Sequence, residues 1–292
     1  MTAKKRVRET RRRAATSGLA AMLLPAFLLI ACLLLFPLLE MVYASLHQAE
    51  FGSLIPGLTF ANYAEILDSQ RYLTLYGSTL FYAGCVTALC AVLGYPVAFH
   101  LTRASARWRG VLYFIIVAPL LINAIVRTYG WLLVLDRHGI LNSLLLGAGL
   151  IKSPLVLTGN AVGMVIGATQ VFLPFMILSI ATSLQSIDPR LLESSEILGA
   201  SPLRTFWRVQ LPLSMPGVIA GSILVFSLML GAFVTPLVLG GSTTKYLSVA
   251  VYTDALVLFN LPRATALAMV LLVIVAVIFL VQSALARRSA PA

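Results

Sequence analysis

Residues 158–184 read TGNAVGMVIGATQVFLPFMILSIATSL, a stretch in which no side chain is charged. A helix needs about 20 apolar residues to cross the hydrocarbon core of a bilayer, so this stretch is long enough to span a membrane. Similar apolar blocks recur along the chain, near Leu19–Leu46, Ser78–Leu101, Leu112–Leu135, Met215–Leu239 and Thr265–Leu285. The blocks lack the alternation of a lipid-facing barrel, and backbone groups in lipid must be hydrogen-bonded internally. We therefore predict an all-α integral membrane protein with about six transmembrane helices.

Composition supports a membrane protein and argues against a nucleic-acid partner. Hydrophobic residues make up 60% of the chain and charged residues 11%, which is far from the mix of a soluble domain. The net charge of +11 is carried by residues that flank the apolar blocks and are not interleaved with aromatic side chains. We expect them to set the membrane topology and to contact anionic lipid.

The basic residues also predict the orientation of the chain. They concentrate in the N-terminal tail, after the second and fourth blocks and at the C-terminus, which all lie on one side if there are six spans. Short basic loops stay in the cytoplasm, so both termini should be cytoplasmic. We divide the chain into a basic cytoplasmic tail, 1–17, and a transmembrane domain, 18–292, which includes a cytoplasmic loop at 188–212.

No cofactor or metal is expected on this chain. It has no Gly-x-x-x-x-Gly-Lys-Ser/Thr stretch, the loop that cradles nucleotide phosphates, so any ATP hydrolysis would take place on another subunit. Cys32, Cys85 and Cys90 lie inside apolar blocks and lack the spacing of metal ligands. We read no catalytic constellation and predict that the chain is not an enzyme.

The segment 188–212, DPRLLESSEILGASPLRTFWRVQLP, is too polar to span a membrane and predicts two short helices. Asp188 is a plausible N-cap with proline following it at the first helical position. Gly199 can adopt the left-handed conformation that ends a helix. Ser201 and the next proline repeat the start signal, which predicts a second helix near Pro202–Val209. The Leu211-Pro212 pair is expected to end that helix before the next span.

This segment resembles the signature loop of the permeases of binding-protein-dependent ABC importers. In that family's pattern, Glu-Ala-Ala is followed by three residues, Gly, nine residues, Ile, one residue and Leu-Pro. Glu193, Gly199, Leu211 and Pro212 match in register. The departures are small: Ser194 and Ser195 replace the two alanines, and Val209 replaces the isoleucine.

The resemblance implies the type I importer architecture and a set of partners. In the family this loop docks on an ATP-binding subunit, which implies the same for residues Glu193–Val209, with Arg204 and Arg208 offering charge-assisted contacts. ATP and Mg would bind to that subunit. A second homologous permease subunit and an extracytoplasmic substrate-binding protein would complete the machine in a bacterial inner membrane.

Further motifs resemble the spermidine/putrescine-type permease group, which makes polyamine the leading cargo. They are Arg127–Trp131, Gly139–Asn142, Leu173–Phe175 and Gly231–Pro236. Relatives of that group carry opines, aminoethylphosphonate, thiamine or ferric iron, and these stay open. A self-sufficient secondary transporter and a membrane scaffold without a path are the competing functions.

Several residues are candidates for the transport path. Glu40, Asp136 and Asp254 are acidic groups that could attract ammonium charge, although Glu40 could equally snorkel to the end of its span. Arg127 would repel a cationic cargo unless an acid compensates it, and it could suit an anionic cargo or join helices. The remaining path candidates are Phe233 and Pro236.

Small residues and prolines predict how the fourth and fifth spans pack and bend. Gly159, Gly163 and Gly167 recur every four residues, as do Gly217 and Gly221, and such rows allow helices to approach closely. Pro174 and Pro236 are expected to interrupt these two spans where backbone lines a path.

Overall fold

The structure, a computed structural model, describes residues 24–289 except 26, 51, 52 and 242, and leaves out the side chains of 50, 196 and 281–289. The predicted basic tail, 1–17, lies outside the described residues. The α-helices are α1 (Phe27–Ser45), α2 (Ala61–Asp68), α3 (Gln70–Arg103), α4 (Ala106–Val117), α5 (Ala124–Leu135), α6 (Ile140–Gly147), α7 (Ala161–Gln185), α8 (Pro189–Ile197), α9 (Pro202–Thr205), α10 (Leu211–Leu230), α11 (Leu247–Tyr252) and α12 (Leu261–Ser289). Strands β1 (Gln48–Glu50) and β2 (Ser53–Ile55) form an antiparallel hairpin.

A 3₁₀ turn and three π turns join or extend these helices. The 3₁₀ turn covers Ala118–Leu121, and the π turns cover Phe206–Gln210, Pro236–Gly240 and Thr253–Val257. Five helices of the described chain are long and apolar enough to cross a membrane, and there are six if one bent pair counts as a single span. The predicted all-α membrane fold is confirmed.

The bent pair replaces the continuous third span that the sequence predicted at Leu112–Leu135. Its two arms, Ala106–Leu121 and Ala124–Gly147, are bent by 101°. Pro119 lies in the 3₁₀ turn that ends the first arm, and Asn123 caps the second arm by accepting a hydrogen bond from the Ile125 N–H at 2.8 Å. A proline followed by an N-cap residue ends one helix and starts another, so hydropathy alone misjudged this block.

The main core lies where α3, α7 and α10 pack together. Buried side chains from the three helices include Val86, Met176 and Val225. At Gly217 a β-carbon would lie 2.7 Å from the Ser179 carbonyl oxygen, so only glycine allows this approach of α10 to α7. The predicted close approach at Gly217 is thus confirmed.

The fourth and fifth spans differ from prediction at their glycines and prolines. Helix α7 begins at Ala161, so Gly159 precedes it and is not on its face. Helix α7 also continues through Pro174, which is buried between neighbouring helices that hold it in place. Pro236 does not interrupt α10, because that helix ends at Leu230 and Pro236 starts a separate π turn. The predicted interruption at Pro174 is therefore wrong, and the predicted fifth span, Met215–Leu239, is interrupted at Gly231, before Pro236.

A second, smaller core joins α2, α3, α11 and α12. Ile66, Leu75, Leu247 and Leu267 are buried in it. The Tyr76 hydroxyl donates a hydrogen bond to the Leu267 carbonyl oxygen at 2.9 Å, which ties α3 to α12. Helix α3 thus contributes to both cores.

Candidate functional site

The first helix of the candidate loop has the limits that the sequence predicted. The Asp188 carboxylate accepts a hydrogen bond from the Arg190 N–H at 2.9 Å and caps α8. Helix α8 ends at Ile197, and Gly199 follows with a φ of +76°, a conformation in which a side chain would be strained. The Ala200 N–H then donates to the Ser195 carbonyl oxygen at 3.0 Å. The predicted cap at Asp188 and the predicted stop at Gly199 are confirmed.

The second helix starts as predicted but does not end as predicted. The Ser201 hydroxyl accepts a hydrogen bond from the Arg204 N–H and caps α9. Beyond Thr205 the chain passes through the π turn Phe206–Gln210 directly into α10, and 202–230 form one long helix. Pro212 has no N–H to donate, and the wider π turn makes room for its ring without ending the helix. The expected break at Leu211-Pro212 is therefore wrong.

A hydroxyl pair holds the two short helices together. The Ser195 and Thr205 side-chain oxygens lie 2.9 Å apart, and Thr205 is buried. Ser195 stands where the family pattern has alanine, so this departure from the pattern adds a bond between α8 and α9. We call the resulting two-helix unit, Pro189–Thr205, the peg.

The peg presents an apolar surface to its surroundings. Leu191, Ile197, Leu198 and Leu203 are exposed, and the side chains of Ile197 and Leu198 are each 86% accessible. We call these four residues the docking face. The predicted loop residues Glu193, Ser194, Arg204 and Arg208 are also exposed. Large apolar side chains exposed on the same short loop as charged ones are typical of a surface that binds another protein.

Other predicted loop residues lie at the base of the peg. Val209 and Leu211 are partly buried where the π turn enters α10, and Pro212 is exposed beside them. The sequence analysis missed the aromatic support of this base: the Phe206 ring packs against Tyr95 and Phe99 of α3. The signal was present, because Tyr95, Phe99 and Arg103 recur every four residues and so share one face of a helix.

The two exposed acidic path candidates, Glu40 and Asp136, lie on different elements of the fold, on α1 and after α5. Glu40 lies exposed on α1, and the apolar window of that helix is not buried by the rest of the described chain. Asp136 is exposed after α5, where its carboxylate accepts a hydrogen bond from the His138 N–H at 2.9 Å. The Asp136 carbonyl oxygen accepts a second hydrogen bond from the buried Asn142 side chain. These hydrogen bonds place Asp136 in the turn that follows α5.

Asp254 is the buried acid among the candidates, and it is already paired. Its two carboxylate oxygens accept hydrogen bonds from Nε and an Nη of Arg263 at 3.0 and 2.8 Å. The same guanidinium approaches the Glu65 carboxylate at 3.8 Å. This bidentate pair joins the π turn Thr253–Val257 to α12. Both oxygens of the Asp254 carboxylate are therefore already hydrogen-bonded to Arg263.

Phe233 and Pro236 lie between α10 and α11. The Phe233 ring is 4.9 Å from the Tyr252 ring, and both side chains line a cavity of about 300 Å³ together with Ser248 and Leu271. Pro236 is buried at the start of its π turn. Apart from the hydroxyls of Ser248 and Tyr252, the side chains that line this cavity are apolar.

Arg127 faces a different cavity, at the break between the two arms of the bent pair. One of its Nη atoms donates to the Pro119 carbonyl oxygen at 2.8 Å, while its Nε is buried and has no hydrogen-bond partner. The cavity has a volume of about 570 Å³, and Asn123, Phe172 and Phe175 line it beside Arg127. No carboxylate in the described part of the chain lines this cavity or pairs with Arg127. Thus the path candidates do not share one cavity.

Comparison with known proteins connects this architecture to transport. Residues 91–291 match the family described as "Binding-protein-dependent transport system inner membrane component". The spermidine/putrescine transport system permease protein PotB of Haemophilus influenzae is 33% identical over 224 residues, which cover 77% of this chain and 78% of that protein. PotB of Escherichia coli strain K12 is 33% identical over 223 residues, covering 76% and 81%.

A solved structure shares the fold over nearly the whole chain. It is the bacterial alginate ABC transporter in complex with an alginate pentasaccharide-bound periplasmic protein, at a TM-score of 0.79 and 19% identity, covering 95% of this chain and 96% of that one. At this identity the likeness concerns the fold alone. The family match covers most of the chain and the curated relatives match in length as well as in sequence. This chain therefore belongs to the inner-membrane permease components of binding-protein-dependent transport systems.

Proposed function

We propose that this chain is a permease subunit of an ATP-driven importer whose cargo is a polyamine of the spermidine/putrescine type. The observation that carries the proposal is the 33% identity to two PotB proteins over more than three quarters of each of them. The sequence motifs at Arg127–Trp131 and Gly231–Pro236 support the same group. Family membership disfavours a self-sufficient secondary transporter, because the members of this family are components of larger transport systems.

In this proposal the docking face of the peg binds an ATP-binding subunit, which carries ATP and Mg. The support is physical: the peg is too polar to enter lipid, yet it leaves Ile197 and Leu198 almost fully exposed. Burying such side chains in a partner stabilises a complex by about 2 kcal/mol each. Arg204 and Arg208 beside them would pair with acidic groups of the partner and fix the orientation.

The peg end of the bundle is assigned to the cytoplasm of a bacterial inner membrane. Arg103 at the end of α3 donates a hydrogen bond to Gln210 at the base of the peg, so the basic α3–α4 corner and the arginines of the peg lie at the same end. The positive-inside rule then favours cytoplasmic termini on a six-span chain. The exposed surface of α1 would be covered by lipid or by a second homologous permease subunit, with a substrate-binding protein on the opposite side.

A second candidate cargo follows from the Arg127 cavity. An arginine in a membrane cavity with no acidic partner in the described chain would repel a polyamine and attract a carboxylate or phosphonate. The same machine would then import an anionic solute such as an opine or aminoethylphosphonate. Both candidates keep the docking face and its ATP-binding partner, and they differ in the sign of the cargo.

Uptake by reconstituted vesicles tests the proposal. The chain is assembled with its neighbouring permease, ATP-binding and substrate-binding subunits, and uptake of labelled spermidine, putrescine and aminoethylphosphonate is measured with and without ATP. ATP-dependent polyamine uptake is expected. It should be lost in Gly199→Val, which strains the turn of the peg, and retained in Gly110→Val, where a glycine with ordinary φ has open space around it. Aminoethylphosphonate uptake alone would favour the second cargo, and a chain that binds no ATPase would overturn the proposal.

A further inference from the structure

Phe206 lies at the junction between the peg and α3. Its ring centroid is 5.5 Å from the Tyr95 ring at an interplanar angle of 88°, and 6.3 Å from the Phe99 ring at 80°. Both contacts are edge-to-face, which is a preferred geometry for aromatic pairs. The π turn that begins at Phe206 connects the peg to α10, so this ring lies between the docking face and the transmembrane bundle.

Polar contacts reinforce the same junction. The Arg103 guanidinium stacks 3.9 Å above the Phe99 ring and donates a hydrogen bond to the buried Gln210 side chain at 3.4 Å. The Tyr95 and Ser214 hydroxyl oxygens lie 2.8 Å apart, and Ser214 is fully buried. We call this set the clasp; its members are Tyr95, Phe99 and Arg103 on α3, and Phe206, Gln210 and Ser214 on the helix that leaves the peg.

No backbone segment joins the peg directly to α3, so the clasp is the direct contact between them. The peg is joined through the backbone to α7 on one side and to α10 on the other, while α3 continues into α4. A displacement of the docking face therefore reaches α7 and α10 through covalent bonds. It reaches α3 through two sets of side-chain contacts: the clasp, which lies next to the peg, and the main core, where α3 packs against α7 and α10. The Thr205 hydroxyl bonds to Ser195 in α8, and Phe206 is the next residue after Thr205. The Phe206 ring is therefore linked to both α8 and α9.

We propose that Phe206 is a positioning residue that makes the peg and α3 move as one unit when the ATP-binding subunits close. The proposal rests on the proposed function, because it assumes an ATP-binding partner on the docking face. Removing the ring leaves the docking face intact. ATP hydrolysis then continues while α3 follows the peg less closely, through the main core alone, so less cargo crosses the membrane for each ATP consumed.

Spin-label distances test this movement without reference to cargo. One label is placed on the peg by Arg190→Cys and one on α3 by Val92→Cys, both at exposed positions, with Cys32 and Cys85 replaced by serine. The complete transporter is measured in nanodiscs with and without ATP and vanadate. A narrow distance distribution that does not change with nucleotide is expected for native Phe206, and a broader, nucleotide-dependent one for Phe206→Leu. A nucleotide-dependent distance in the protein with native Phe206, or an unchanged distribution in Phe206→Leu, overturns the proposal.

The ratio of ATP hydrolysed to labelled spermidine transported supplies the functional readout. Loss of two aromatic contacts should raise this ratio about tenfold in Phe206→Leu. Phe206→Tyr, which keeps the ring, should restore the native ratio, and Phe114→Leu, which removes an exposed aromatic ring from α4, should not change it. Tyr95→Leu removes the other side of the clasp, and its effect should not add to that of Phe206→Leu.

The outcomes separate the clasp from the importer assignment. If native protein binds no ATPase, the proposed function fails. If native protein couples ATP hydrolysis to uptake and Phe206→Leu keeps the native ratio, the importer stands and the role of Phe206 is wrong. If Phe206→Leu lowers ATP hydrolysis and uptake in proportion to the amount of assembled complex, Phe206 is needed for folding alone and the positioning role is also wrong.

Discussion

The peg and the Arg127 cavity each leave some side-chain groups without a partner among the described residues, but the groups differ: they are apolar in the peg and polar in the cavity. In the peg the Ser195 and Thr205 hydroxyls are bonded to each other, Asp188 caps its first helix, and apolar side chains are left exposed. In the cavity the walls are mostly apolar, and a buried nitrogen of Arg127 has no partner. An exposed apolar face favours a protein partner, whereas an arginine with no carboxylate partner in the described chain favours the anionic cargo of the second proposal. The two regions therefore point to two different kinds of ligand.

The largest effect is expected where the peg is given charges. The double variant Ile197→Asp with Leu198→Asp places two carboxylates in the docking face, and co-purification of the ATP-binding subunit should fall by about a hundredfold or more. The variant Gln185→Asp adds a carboxylate at an exposed position on α7, outside the docking face, and should not weaken the complex. Unchanged co-purification in the double variant would show that the docking face does not bind the ATP-binding subunit.

A second test compares Arg127 with the paired arginine, Arg263. Asp254→Asn removes the buried charge that compensates Arg263, and breaking such a pair costs about 3 kcal/mol of stability. The midpoint of thermal unfolding in detergent should fall by about 5 °C or more. Joint replacement by Asp254→Leu and Arg263→Met removes both charges and should recover much of the loss. An unchanged midpoint in Asp254→Asn would mean that the pair does not stabilise the fold.

Arg127→Met should behave differently from Asp254→Asn. Arg127 has no carboxylate partner among the described residues, and its acceptor, the Pro119 carbonyl oxygen, also bonds to the Ile122 N–H. Stability should therefore change by less than about 1 kcal/mol. Uptake is the informative measurement: polyamine uptake should be kept or raised, whereas uptake of an anionic cargo would be lost. A large stability loss would instead make Arg127 a structural link between the two arms of the bent pair.

The contrast between the two regions also explains what the sequence could predict. The limits of α8 depend on local chemistry, an N-cap at Asp188 and a left-handed glycine at 199, and local chemistry can be read from the chain. The apolar blocks likewise predicted about six spans, since hydropathy measures burial in lipid, and the described part of the chain has five, or six if the bent pair is one span. The bend near Asn123 was missed because an apolar run looks the same whether its helix is straight or broken.

The path residues could not be predicted for a different reason. Pairing of Asp254 with Arg263 and isolation of Arg127 depend on which helices meet, and residue spacing along one chain does not contain that information. The same holds for the clasp, in which Phe206 meets Tyr95 more than a hundred positions away in sequence. Tertiary packing decided these contacts, so the sequence identified candidate residues without showing which of them are paired.

The smallest effect tests the point where this chain departs from the family's loop pattern. Ser195→Ala introduces the residue that the pattern has and removes the 2.9 Å contact with Thr205. Ser195→Ala also removes the bond from the Ser195 hydroxyl to the Leu192 carbonyl oxygen within α8. The loss between the two helices is that of one hydrogen bond, about 1 kcal/mol, so binding of the ATP-binding subunit should weaken about fivefold. Ser194→Ala is the matched control, because the exposed Ser194 hydroxyl bonds within α8, to the Arg190 carbonyl oxygen, and does not reach α9. If both variants bind equally well, the peg keeps its shape without the hydroxyl pair, and the turn at Gly199 alone sets the angle between its helices.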